Sequence, residues 1–152
     1  GRALRWAAAS FARRGEWAYD GEGWGLCFDG TALVQSDGSA RLYFRDPQTF
    51  AVVRTLVVTE NGQPLPRLNE LECVGDLVYA NVWMTDRIVA VAALNGAVRA
   101  SIDASGLLSP AERAAAGREA ILNGIAHDPA DGTYLLTGKL WPKLFRVRFV
   151  PR

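Results

Sequence analysis

Leu68-Asn69-Glu70-Leu71-Glu72, followed by Tyr79-Ala80-Asn81-Val82-Trp83-Met84-Thr85-Asp86, is the stretch whose reading decides the fold. The two runs flank Gly75-Asp76, a tight-turn pair, and so predict two antiparallel β-strands. Asn69, Glu70, Asn81 and Trp83 stand at strand ends or inside strand patterns, and Asn and Glu are poor strand formers. Residues that break a local pattern are where function is to be sought.

The same template recurs on either side. Glu22-Gly23-Trp24-Gly25-Leu26-Cys27-Phe28-Asp29-Gly30 precedes strand patterns over 32–35 and 42–44. Leu122-Asn123-Gly124-Ile125-Ala126-His127-Asp128 precedes strand patterns over 133–137 and 144–147. Leu26, Leu71 and Ile125 hold equivalent places, 45 and 54 positions apart. Repeats of this length built from short strands read as propeller blades, each a four-stranded antiparallel sheet. The fourth strands are the weaker patterns Val52–Val58 and Ala97–Ile102. Leu4-Arg5-Trp6 and Gly15-Glu16-Trp17-Ala18-Tyr19 read as the outer two strands of an earlier blade. The longer third period has a local cause. Ser109-Pro110-Ala111-Glu112 is a capping box with Pro at the first helical position, and a short inter-blade helix is expected over 111–121, weakened by Gly117.

The expectation is therefore an all-β chain, one propeller domain with the end of an earlier blade in 1–21 and blades in 22–67, 68–109 and 122–150. Propellers close with roughly four to eight blades. Three blades and a partial one leave an apolar inter-blade face open, so the chain is expected to be part of a longer one.

Composition bounds the function. Lys+Arg is 17 against Asp+Glu 16, so the basic excess of a nucleic-acid binder is missing. Hydrophobic residues make up 49%, enough for a core, and no run approaches the ~18 apolar residues of a membrane span. Five Trp suit a lined cavity as well as a core. The basic, Ala-rich, acid-free segment Gly1–Arg14 has transit-peptide composition, but the repeat reads it as strand and turn. Cys27 and Cys73 form no disulfide framework; their spacing does not place them together, and the reading leans against a bridge.

In a propeller, equivalent positions of successive blades converge on the central channel. Trp24, Asn69 and Asn123 open their blades, and Asp37, Trp83 and Lys139 end the second strands. Six positions are thus expected at one mouth, an apolar wall with few polar groups. Each has a plainer reading: Trp24 or Trp83 as core, Asp37-Gly38 as a turn, Asn69 as a strand-end cap, Lys139 as a solvated charge. Rigid apolar neighbours, Gly138 and Leu140-Trp141-Pro142, are expected to desolvate Lys139 in part. The single His127 supports neither a metal cluster nor a Ser/His/Asp set.

At this point a resemblance enters. The ordered motifs Glu22-Gly23-Trp24-Gly25-Leu26, Ser36-Asp37-Gly38-Ser39, Asp46-Pro47-Gln48-Thr49-Phe50, Leu68-Asn69-Glu70-Leu71-Glu72, Tyr79-Ala80-Asn81-Val82-Trp83, Leu122-Asn123-Gly124-Ile125-Ala126 and Thr137-Gly138-Lys139-Leu140-Trp141-Pro142 resemble the bacterial and plant-type glutaminyl cyclases. The resemblance implies a five-bladed propeller that cyclises the N-terminal glutamine of peptides or proteins to pyroglutamate and releases ammonia. It implies no metal or other cofactor and a monomer when complete. It assigns Trp24 and Trp83 to substrate binding and Asn69 and Lys139 to catalysis. It places the catalytic Glu of the family upstream of Gly1, so Glu22, Glu70 and Glu72 are not promoted to that role and this stretch alone is expected to be inactive. Family members are often exported; localisation stays open, and a signal peptide would lie upstream of these residues. Two other classes compete. A metal-dependent propeller lactonase would use Asp37, Asn69 and Asn123 and leave Trp83 and Lys139 idle; a non-catalytic scaffold would release no ammonia.

Overall fold

Gly75 takes φ 60 and turns the chain between strands β9 (Leu68–Val74) and β10 (Leu77–Val82), as the central stretch predicts. The computed structural model describes residues 1–151. The hairpin is the inner half of a four-stranded antiparallel sheet completed by β11 (Arg87–Ala92) and β12 (Val98–Asp103). A second four-stranded sheet precedes it: β3 (Gly25–Phe28), β4 (Leu33–Ser36), β5 (Arg41–Arg45) and β6 (Val52–Val57), in sequential order. A three-stranded sheet follows, β13 (Leu122–Asp128), β14 (Thr133–Gly138) and β15 (Phe145–Val147). Arg2–Trp6 (β1) and Arg13–Ala18 (β2) pair as a separate hairpin at the start.

The innermost strands lie side by side, with β9 packed between β3 and β13. The apolar cores therefore lie between sheets. One joins Cys27, Val34 and Leu42 to Leu71, Val78, Ala80, Val89 and Val91; the other joins Ile88 to Leu122, Ile125, Tyr134 and Leu136. Ile88 faces one core and its neighbour Val89 the other, so β11 is covered on both sides. This is why it reads as the unbroken apolar run Ile-Val-Ala-Val-Ala instead of an alternation. The outer strands β6 and β12 face water, and their weaker patterns carry Arg54 and Arg99, charges of the kind that blunt sheet edges. Arg54 keeps its stem and guanidinium over the Phe44 ring, 3.6 Å from the centroid.

Three local features depart from the sequence reading. The helix α1 covers Pro110–Ala116 and not 111–121. Its capping box forms, with Glu112 N–H donating to Ser109 and the Glu112 carboxylate accepting from Ser109 N–H, but Gly117 at φ 86 ends it. Thr59–Glu60 (β7) and Gln63–Pro64 (β8) form an unforeseen hairpin over Asn61-Gly62, the strongest two-residue hairpin signal there is. Glu60 pairs with Arg87 and ties this hairpin to the second sheet. Finally, Cys27 and Cys73 are bridged, their Cα atoms 5.6 Å apart, where the reading leaned against a bond. The bond crosses from β3 to β9, a lateral neighbourhood that sequence spacing does not encode.

Candidate active site

Trp24 and Trp83 come from different sheets and meet. Trp24 stands one residue before β3; its backbone N–H donates to Ser36 O at 3.0 Å, and its indole N–H donates to Glu22 Oε2 at 2.7 Å. Trp83 stands one residue after β10, held by its N–H donating to Arg67 O at 2.8 Å. Their rings pack edge to face, centroids 5.4 Å apart at 70°. Both are half-buried, so they line a surface and do not fill a core. Gly38 lies beneath Trp24: a Cβ there would come within 2.7 Å of the indole, and its φ of +82 is a glycine conformation.

Asn69 is 4% exposed on β9, beside this pair. Its carbonyl accepts the Ser36 hydroxyl at 2.6 Å. Gly25, the residue after Trp24, presses so closely that a Cβ would fall 2.1 Å from Asn69 O. Only glycine permits this approach of β3 to β9, and it brings the residue after Trp24 against the Asn69 backbone. A cleft of about 790 Å³ lies between β1 and the start of β3, with Trp24, Gly25, Gln35 and Glu70 in its lining; Asn69, Trp83 and Lys139 do not line it. Glu70 is half-buried; burial first, and then the charge of Glu72, push its carboxyl above the ordinary range.

Lys139 follows β14 and is anchored by its N–H donating to Ile121 O at 2.9 Å. It is exposed, which corrects the expected partial desolvation. The turn from Gly138 to Trp141 drives Trp141 into the core at 9% exposure and leaves Lys139 and Leu140 outside, so the apolar neighbours do not cover it.

Two further expected mouth positions, Asn123 and Asp37, are engaged elsewhere, as are Asn81 and Glu72. Asn123 Oδ1 accepts from Glu70 N–H at 3.3 Å, Asn81 Oδ1 from Gly124 N–H at 3.2 Å and Glu72 from His127 N–H at 2.8 Å. These three side chains bridge β9–β10 and β13, which belong to different sheets and share no backbone ladder. Asp37 accepts from Ser39 N–H, the Ser39 hydroxyl and the Tyr43 hydroxyl. Burial works to raise its pKa and these hydrogen bonds outweigh it, so the carboxyl sits below its ordinary value. Asp37 is thus a turn anchor, and Asn123 braces the β9 backbone. Among the described residues, no three His, Cys, Asp or Glu side chains gather closely enough to hold a metal ion.

The arrangement pairs two aromatic rings from different sheets, with a buried amide on β9, while Lys139 stands exposed at the end of β14 on the third sheet. Comparison with known proteins adds the family. The glutamine cyclotransferase family model matches residues 1–149. The chain is 42% identical over 131 residues to the glutaminyl-peptide cyclotransferase of Arabidopsis thaliana, covering 84% of this chain and 40% of that protein. The crystal structure of Myxococcus xanthus glutaminyl cyclase superposes with a TM-score of 0.84 at 41% identity, covering 94% of this chain and 62% of that one. BamB of Moraxella catarrhalis, at 17% identity and a TM-score of 0.50 over 84% of this chain and 35% of that one, is a likeness of fold alone. The chain thus spans less than two thirds of either cyclase relative, yet the family match takes in all three sheets together with Trp24, Asn69 and Trp83, and the chain belongs to the glutamine cyclotransferase family.

Proposed function

We propose that residues 1–152 form an arc of a five-bladed propeller that converts the N-terminal glutamine of peptides or proteins to pyroglutamate. The observation that carries the activity is the Trp24–Trp83 pair beside buried Asn69, in a chain of this family.

Two observations support a further sheet beyond β1–β2. Phe50, at φ 60, donates its N–H to Asp46 O in the β5–β6 turn and buries its ring against Trp17 and Tyr19. Phe11, at φ 51, donates to Ala7 O at the same place in the β1–β2 turn, yet it is 77% exposed. Leu26 and Phe28, which flank Cys27 on β3, are likewise half uncovered on the face turned from β9. Both patches are what an adjoining blade covers.

In the reaction the substrate's neutral α-amine attacks the carbonyl carbon of its own side-chain carboxamide. A C–N bond forms, the carbonyl oxygen gains charge, and the amine's proton passes to a carboxylate. That proton is delivered to the departing nitrogen, the former amide C–N bond breaks, ammonia leaves and the carbonyl reforms as a lactam. Because the step is intramolecular, holding the side chain folded back supplies much of the acceleration. Trp24 and Trp83 do that holding and exclude the water that would yield glutamate instead. Asn69 and Lys139 donate to the charged oxygen. On the resemblance drawn above the proton shuttle belongs to another blade, and Glu22, Glu70 and Glu72 are not given that role.

The test is release of ammonia from a Gln-peptide by the full-length protein, with the matching loss of mass from the peptide. Absence of both would end this reading.

A further inference from the structure

The second strands of the three sheets end at Ser36, Val82 and Gly138. One residue further stand Asp37, Trp83 and Lys139, and two residues further Gly38, Met84 and Leu140. These last three share a backbone conformation: φ is 82 at Gly38, 65 at Met84 and 58 at Leu140. In the second and third sheets the turn closes by hydrogen bonds from Thr85 N–H to Val82 O at 3.1 Å and from Trp141 N–H to Gly138 O at 3.2 Å. Met84 and Leu140 thus occupy the third place of a four-residue turn, which at positive φ is the place of glycine. The first sheet has glycine there, and the other two carry long apolar side chains.

Folding does not account for that choice. Met84 is 55% exposed and Leu140 67%, and neither belongs to an inter-sheet core. Each combines an unfavourable backbone with apolar surface left in water, at matching places in two repeats. Each also directly follows a residue assigned to the reaction, Trp83 or Lys139.

We propose that Met84 and Leu140 form an apolar rim that receives the side chain of the residue following the substrate's N-terminal glutamine, and so set which peptides are preferred. This rests on the cyclisation reading above. The glutamine is held inside by its side chain and amine, so the peptide leaves through the glutamine's own carbonyl. The first side chain to pass the mouth is that of the second residue. An unbranched Met beside a Leu adapts to apolar groups of different shapes. Peptides with Phe or Leu second are therefore favoured over those with Gly.

The experiment compares kcat/KM for Gln-Phe and Gln-Gly peptides in the full-length protein and in Met84→Gly, Leu140→Gly and the double variant. Glycine suits the backbone at both places, so these variants keep the fold. The wild type should prefer Gln-Phe, and the double variant should lose roughly tenfold of that preference, the scale of a lost apolar side-chain contact. Its turnover of Gln-Gly should stay within about twofold, since rim contacts are absent for that peptide. Met84→Leu should retain the preference. An unchanged Phe-to-Gly ratio in the double variant, with both peptides still cyclised, overturns the rim and leaves the cyclisation reading standing. No ammonia from either peptide with the wild type overturns both.

Discussion

The indole rings of Trp24 and Trp83 touch edge to face across two sheets, their centroids 5.4 Å apart. Each is fixed from behind by the backbone, Trp24 through Ser36 O and Trp83 through Arg67 O. The same two sheets share a disulfide and a buried core, so the wall is as rigid as the join between them.

A double-mutant cycle reads that contact. Trp24→Leu and Trp83→Leu are each expected to raise KM roughly tenfold by removing apolar wall. Without substrate, their combined effect on urea stability should depart from additivity by about 0.5–1.5 kcal/mol, the worth of an aromatic pair beyond its burial. Strict additivity would mean that the rings are neighbours without interaction.

Lys139 and Asn69 are assigned the same donor role but differ in burial. Lys139 is exposed, so Lys139→Ala should leave stability within about 0.5 kcal/mol while lowering kcat by about 10²–10³-fold. Asn69 is 4% exposed, so Asn69→Ala should lose activity and also about 0.5–3 kcal/mol of stability by leaving a void in the packing; its backbone hydrogen bond from Ser36 stays. Thermal melts run beside ammonia-release assays separate the two. Near-normal turnover by Lys139→Ala would remove Lys139 from the site.

The fold was legible wherever its cause is local. The Gly75-Asp76 turn, the Ser109/Glu112 capping box and the strand runs follow from neighbours in sequence. What escaped depends on which strand lies alongside which. Nothing near Cys27 announces Cys73, and nothing near Asn123 announces the Glu70 amide that its side chain receives. Asn81 stood out as a misfit for the same reason: a polar group spanning adjacent sheets breaks the apolar pattern just as a ligand-binding one does. Asn61-Gly62 is the exception, a local hairpin signal left unread.

The Cys27–Cys73 bond closes a loop with a sequence separation of 46. On the chain-entropy account a loop of this length contributes about 4 kcal/mol, and measured native bridges typically give about 2–4. Cys27→Ser/Cys73→Ser, or the wild type under dithiothreitol, should therefore unfold at lower urea by that amount. The bond joins β3 to β9 within four residues of Trp24 and Asn69, so KM should rise as well. Equal urea midpoints with and without reductant would show that the bridge contributes nothing to the join.

Glu70 gives the pH signature of the site. Its carboxyl is half-buried, and burial and then Glu72 raise its pKa above the ordinary 4.5. The folded protein therefore holds this proton more tightly than the unfolded chain does. As pH rises through the raised pKa, the folded state must charge a group in an unfavourable place, and stability is lost. Below 4.5 both states are protonated and the penalty vanishes. Glu70→Gln, uncharged at every pH, should accordingly be more stable than the wild type near neutrality and match it once the pH is well below the ordinary carboxylate value. Glu72→Gln should recover part of the same gain, since it removes the second cause while leaving the first. Urea midpoints on either side of the transition decide it: a gain of equal size at both pH values would assign the effect to packing and not to the charge.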